Sequence, residues 1–153
     1  LTRGKFEYDF GQEAGYTPLV PMFTLGHDFK PANIHAGGLR YHGAGMIISQ
    51  LVKDGYMHGV DVAQTEAFEA GMLFARVEGI IPAPESCHAI AATIREAKKA
   101  TEEGKNTVIL FCLSGHGLID MPSYESYLNG DLHDYRVSDE EINKFLQTVP
   151  QVD

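Results

Sequence analysis

A serine, a histidine and two glycines, Ser114-Gly115-His116-Gly117, close an apolar run, Thr107-Val108-Ile109-Leu110-Phe111-Cys112-Leu113. The run is apolar on both parities and begins with β-branched residues, which predicts a strand buried on both faces. In open α/β sheets, ligands bind just outside the carboxyl ends of strands. A serine hydroxyl there can donate one hydrogen bond to a buried acceptor, and glycines let backbone approach a ligand closely. Upstream, Glu78-Gly79-Ile80-Ile81-Pro82-Ala83-Pro84-Glu85-Ser86-Cys87-His88-Ala89 looks built for a similar position. Glu85 follows two prolines and precedes a predicted helix. As a first-turn carboxylate it is stabilised by the helix dipole and needs no function. As a carboxylate aimed into a cleft shared with Ser114 it would act on a ligand. The residues by themselves favour the first reading.

A third constellation is Ala36-Gly37-Gly38-Leu39-Arg40-Tyr41-His42-Gly43. Its paired glycines permit positive φ or close ligand approach. Arg40 there is either a bidentate clamp for a carboxylate or a solvated turn residue, and the residues leave both readings open. Cys87, His88, Cys112 and His116, with His35 and His42, contain the atom types of a zinc site. Such a site needs three or four ligands in a set geometry. The only adjacent pair, Cys87-His88, diverges on a helix, so no metal is assigned. A serine nucleophile is also set aside. The nucleophile elbow is G-x-S-x-G between strand and helix, whereas Leu113 precedes Ser114 and no helix is predicted after it.

These residues must be positioned by a chain of 153 residues, enough for one modest domain. Gly4–Phe10 alternates and predicts a short strand with Phe6, Tyr8 and Phe10 on one face. Residues 11–42 read as a long loop with one short helix near Val20–Leu25. Gly43–Asp54 predicts a helix on Met46, Ile47, Leu51 and Val52, ended by Gly55. Met57–Val62 is a short strand candidate. Thr65–Glu78 predicts a helix with Phe68, Met72, Leu73 and Ala75 on its apolar face, stopped by Gly79. Ser86–Thr101 predicts another, with Ala89, Ile90, Ile94 and Ala97 as its stripe. Residues 118–136 read as polar and irregular. Ser138-Asp139-Glu140-Glu141 is a capping box that opens a last helix with Ile142, Phe145 and Leu146 inward. Strands and helices in this order predict α/β layers.

The formal net charge is −9, and the pI is near 5.1. That balance argues against a nucleic-acid surface, which clusters Lys and Arg. No apolar stretch approaches the ~20 residues of a membrane span, and the first residues lack the apolar segment of a signal peptide. Cys87 and Cys112 form no C-x-x-C pair and read as reduced thiols of a cytoplasmic protein. The chain opens on Leu1 rather than Met, which points to a piece of something longer.

The Glu78–Ala89 segment, the strand ending Leu113-Ser114-Gly115-His116-Gly117 and the helix between them closely resemble the C-terminal part of the tryptophan synthase β chain. Ala36–Gly43 resembles the divergent second type of that chain, in which Arg40 stands where the common type has Asp. The resemblance runs from Leu1 to about Asp120. It implies the C-terminal portion, 1–153, of the catalytic domain of a fold type II pyridoxal 5'-phosphate enzyme, with helices packed on a mostly parallel sheet. It implies condensation of L-serine with indole to L-tryptophan and water, in a homodimer that pairs with an α subunit. It also implies that Ser114 faces the pyridine nitrogen, that Glu85 lies near the ring, and that Gly38, Leu39 and Gly115 line the cofactor. Arg40 would touch the serine-derived part of the substrate. The family's Schiff-base lysine follows a histidine. The lysines here, Lys5, Lys30, Lys53, Lys98, Lys99, Lys105 and Lys144, do not. The Gly-Gly-Gly-Ser-Asn phosphate cup is absent too. The chain alone is therefore expected to be inactive. The rival reading is a stand-alone α/β module that binds a small ligand or metal without catalysis.

Overall fold

The computed structural model describes residues 1–152; Asp153, the last residue of the span assigned above, lies outside the described residues. The chain divides into two compact units. One gathers Leu1–Ala32, Arg40–Asp61 and the stretch from Arg136 on; the other gathers Asn33–Leu39 and Val62–Tyr135.

In the first unit, β1 (Lys5–Phe10) and β2 (Leu19–Thr24) pair antiparallel, with Lys5 opposite Thr24 and Phe10 opposite Leu19. Cross-strand side chains stabilise such a ribbon. Phe6 meets Phe23 edge to face at 5.4 Å, and Lys53 of α1 (Met46–Lys53) holds its Nζ 4.1 Å over the Phe6 ring. The expected first strand is present, but its deeply buried residue has the opposite parity. Asp9 is fully buried while Tyr8 is exposed. The carboxylate tolerates burial because it is hydrogen-bonded. Thr24 Oγ1 donates to it at 2.6 Å and the Phe10 N–H at 2.8 Å, and His27 Nδ1 lies 2.7 Å away.

The short helix expected near Val20–Leu25 is instead β2. Pro21 removes a donor that a helix interior would need, and a two-stranded ribbon has outer edges where that loss costs little. Met57–Val62 forms no strand. It finds no ladder partner among the described residues, and Met57 and Val60 are exposed. α1 lies where expected, although Met46 and Ile47 are exposed and the buried residue is Ser49, whose Oγ accepts the Phe23 N–H at 3.0 Å. α5 (Asp139–Leu146) opens as the capping box predicts, with the Glu141 N–H donating to Ser138 Oγ at 3.1 Å. Ile142 is buried, and Phe145 meets Phe29 edge to face at 5.5 Å.

In the second unit, α2 (Gln64–Glu78) packs on α3 (Pro84–Glu102). The contact buries Ala67, Phe68, Ala70, Cys87, Ile90 and Ala91. This stripe is rotated from the expected faces, so Leu73 and Ala97 are exposed. Residues 118–136 are not all irregular. α4 (Met121–Leu128) lies there and buries Tyr124, edge to face with Phe68 at 5.0 Å, while Tyr127 stacks on Phe68 at 5.7 Å.

Thr107–Leu113 forms no strand and is not buried on both faces. Val108 is 98% and Leu110 96% exposed. Ile109 and Phe111 are half-buried, and Phe111 meets Phe74 edge to face at 5.9 Å. Cys112, expected inside the strand, is exposed. A strand exists only against a neighbour, and none of the described residues pairs with this run. The fold of the described residues is α/β, with five helices and one two-stranded antiparallel sheet rather than a mostly parallel one. No helix among them is long and apolar enough to cross a membrane.

Candidate functional site

The site in the second unit is built where the Ser114–Gly117 turn meets the start of α3. An antiparallel bridge pairs Pro82 with His116. The Ala83 N–H donates to Gly115 O at 2.9 Å, and the Gly117 N–H donates to Ile81 O at 2.8 Å. A Cβ on Gly117 would sit 2.4 Å from Pro82 O, so only glycine permits this approach. Pro84 then starts α3 in the first turn, where the backbone N–H has no intrahelical acceptor to lose.

Glu85 and Ser86 follow in the first turn of α3 and reach different partners. Glu85 is half-buried, and its Oε1 accepts the Gly38 N–H at 2.9 Å. Gly38 belongs to the short 3-10 turn Gly37–Leu39, and a Cβ on it would lie 3.2 Å from Glu85 Cγ. Ser86 is buried. Its Oγ lies 3.1 Å from Ser114 Oγ, accepts the Gly115 N–H at 3.1 Å and reaches Gly115 O at 3.4 Å. Ser114 itself is exposed. Glu85, Gly38, Ser114 and Gly115 are thus brought to one helix start. Glu85 is more than a helix-end charge, because it ties the glycine turn to α3.

Behind this ledge, Tyr124 Oη donates to Pro82 O at 2.6 Å and lies 3.3 Å from Cys87 Sγ. Burial pushes the Cys87 thiol up from its ordinary range. Burial and the bond to Cys87 push the Tyr124 hydroxyl up as well. Both groups stay protonated and hold the Pro82 end of the bridge from inside.

Arg40 is exposed and belongs to the first unit. Leu39 is half exposed at the end of the 3-10 turn. His88 Nδ1 bonds locally to Pro84 O at 2.8 Å, and His116 Nδ1 accepts the Leu118 N–H at 3.3 Å. Among the described residues no three His, Cys, Asp or Glu side chains gather as a metal set would. Sequence reasoning missed Ser86 and Tyr124. The one available signal for Ser86 was a hydroxyl in the first turn of a proline-started helix. Tyr124 gave none, because its short helix lies in polar sequence.

Over 124 residues, 81% of this chain, it is 62% identical to tryptophan synthase β chain 2 of Thermotoga maritima. The chain belongs to the tryptophan synthase β-chain family. It is 57% identical over 134 residues to the Aquifex aeolicus β chain 2 and 53% identical over 150 residues to that of Pyrococcus furiosus. The last alignment takes in 98% of the chain, so the likeness runs well past Asp120. The chain spans 29%, 31% and 34% of the lengths of these relatives. No family model matches it.

Proposed function

We propose that this chain supplies the ring-nitrogen side of a pyridoxal 5'-phosphate site in an enzyme that joins L-serine to indole and releases L-tryptophan and water. One observation carries the reading: Glu85, Gly38, Ser114 and Gly115 converge on the first turn of α3. This donor set suits the pyridine end of the cofactor, since it offers a neutral hydroxyl backed by a buried one, with glycine backbone alongside. When bound, the cofactor supplies an electron sink for charge developing on the amino acid.

The residues of the chain then have separate tasks. Ser114 donates a hydrogen bond to the ring nitrogen, but a hydroxyl cannot hold that nitrogen protonated as an Asp would. Electron withdrawal is thereby moderated, which suits β-elimination and replacement. Glu85 sets the charge beside the ring and anchors Gly38, whose backbone lines it. Arg40 contacts the serine-derived part of the substrate. The lysine and the phosphate cup come from other residues of a longer protein, of which 1–153 is the C-terminal portion of the catalytic domain. There, Thr107–Leu113 takes its place in a mostly parallel sheet, and the exposure of Val108 and Leu110 supports that. A homodimer, an α-subunit partner and a cytoplasmic location accompany the reading.

The test is tryptophan formation by the full-length protein given cofactor, L-serine and indole. Activity is expected there and none from residues 1–153 alone. A full-length protein that binds the cofactor yet makes no tryptophan overturns the reading. Arg40→Ala should lower kcat/KM for the amino-acid donor about ten- to hundredfold with little change in melting temperature, as loss of a charge-assisted hydrogen bond implies.

A further inference from the structure

Ser86 is a buried hydroxyl whose partners all lie in the Ser114-Gly115 backbone and side chain. A hydroxyl has one proton and two acceptor lone pairs. One lone pair of Ser86 Oγ takes the Gly115 N–H at 3.1 Å. Its single proton then has two destinations, Ser114 Oγ at 3.1 Å and Gly115 O at 3.4 Å. The first is the shorter, and hydrogen bonds weaken with length, so the first is favoured. If Ser86 donates to Ser114, the Ser114 proton cannot be directed back at Ser86 and is left to point outward. The exposed hydroxyl of Ser114 becomes a fixed donor.

We propose that Ser86 is the positioning residue that orients the Ser114 hydroxyl as a hydrogen-bond donor toward an unprotonated ring nitrogen. This rests on the reading that Ser114 faces that nitrogen. An approaching N–H would have to take the second lone pair of Ser114 Oγ beside the Ser86 proton, and the Ser114 proton would then have no partner in this pair. Ser86 therefore biases the pair toward Ser114 donating, which favours the unprotonated ring. It does so from a buried position. Its place on the first turn of α3 couples that polarity to the same helix start that carries Glu85.

The experiment uses the full-length protein with pyridoxal phosphate as the probe. It compares Ser86→Ala, Ser86→Cys and Ser114→Ala by cofactor affinity and by absorbance and fluorescence of the bound cofactor across pH. The melting temperature of the cofactor-free protein serves as the stability reference. Ser86→Ala should weaken cofactor binding about three- to tenfold, the size of one neutral hydrogen bond. It should also move the pH dependence of the cofactor spectrum in the same direction as Ser114→Ala. Ser86→Cys keeps the shape with a weaker donor and should fall between, and it carries the test if Ser86→Ala does not fold. A change in melting temperature alone, with affinity and pH-dependent spectrum unaltered in both Ser86 variants while Ser114→Ala changes them, overturns the positioning role. If Ser114→Ala itself changes neither, the ring-nitrogen reading falls, and this inference with it.

Discussion

Cys87 and Tyr124 stand directly behind Pro82, and their shared contact has a consequence for stability against pH. The Cys87 thiol is raised above its ordinary value of 9.0 and the Tyr124 hydroxyl above 10.0, in both cases chiefly by burial. A group whose folded pKa is raised keeps its proton in the folded chain after the unfolded chain has lost it. Its stabilising contribution is complete below the unfolded pKa and is lost as pH rises. The melting temperature should therefore decline from about pH 9 upward. Cys87→Ser keeps a partner for Tyr124 but removes the earlier titration, so the decline should begin about one pH unit higher. A melting temperature that is flat to about pH 11 would refute this account of the buried pair. At this scale, Glu85 read from its own residues as a helix-end charge and became a candidate only through the family resemblance, while Ser114, Gly38 and Gly115 were legible as candidates by their types at a loop. Ser86 was not. Its role comes from a neighbour 28 positions away, and no local pattern records that.

α2 and α3 were legible as elements because a helix writes its period into its own sequence, and Gly79 and Pro84 mark the break between them. The capping box of α5 was legible for the same reason. β1 was legible from its alternation, but the other strand readings failed, because a strand is defined by its partner. β2 contains Pro21 and does not alternate, and only its register against β1 makes it a strand. Thr107–Leu113 has a strand's composition without a ladder. The buried face of α2 also turns on one residue that propensity disfavours. Gly71 lies mid-helix, where alanine would be better by about 1 kcal/mol. A Cβ there would lie 2.5 Å from Cys87 Sγ and 2.9 Å from Tyr124 Oη. Both neighbours are buried and cannot swing away, so overpacking of about 1–3 kcal/mol outweighs the propensity gain. Gly71→Ala should lower the melting temperature, and adding Cys87→Ala should restore part of the loss. A rise with Gly71→Ala alone would mean that the α2–α3 contact is looser than described.

For the whole molecule, the chain interleaves its two units, leaving the first at Ala32, returning at Arg40, leaving again at Asp61 and returning at Arg136. The site described lies within one unit, and the chain spans 29–34% of the lengths of the relatives named above. Val108 and Leu110 bear on that directly. A monomeric surface bears isolated apolar residues without cost, but two almost wholly exposed ones on one face of an extended run leave that face unused. The other face already packs through Phe111 on Phe74. If the full-length protein closes a parallel sheet over this run, both side chains become buried, each contributing about 1.5–3 kcal/mol. Val108→Lys and Leu110→Lys should then strongly lower the melting temperature of the full-length protein, since a lysine buried there also loses its hydration. Lysine at an exposed position of α3, such as Ala97→Lys, provides the comparison and should change little. If the Val108 and Leu110 variants melt with the Ala97 variant, the run stays exposed in the longer protein, and the mostly parallel sheet has no strand here.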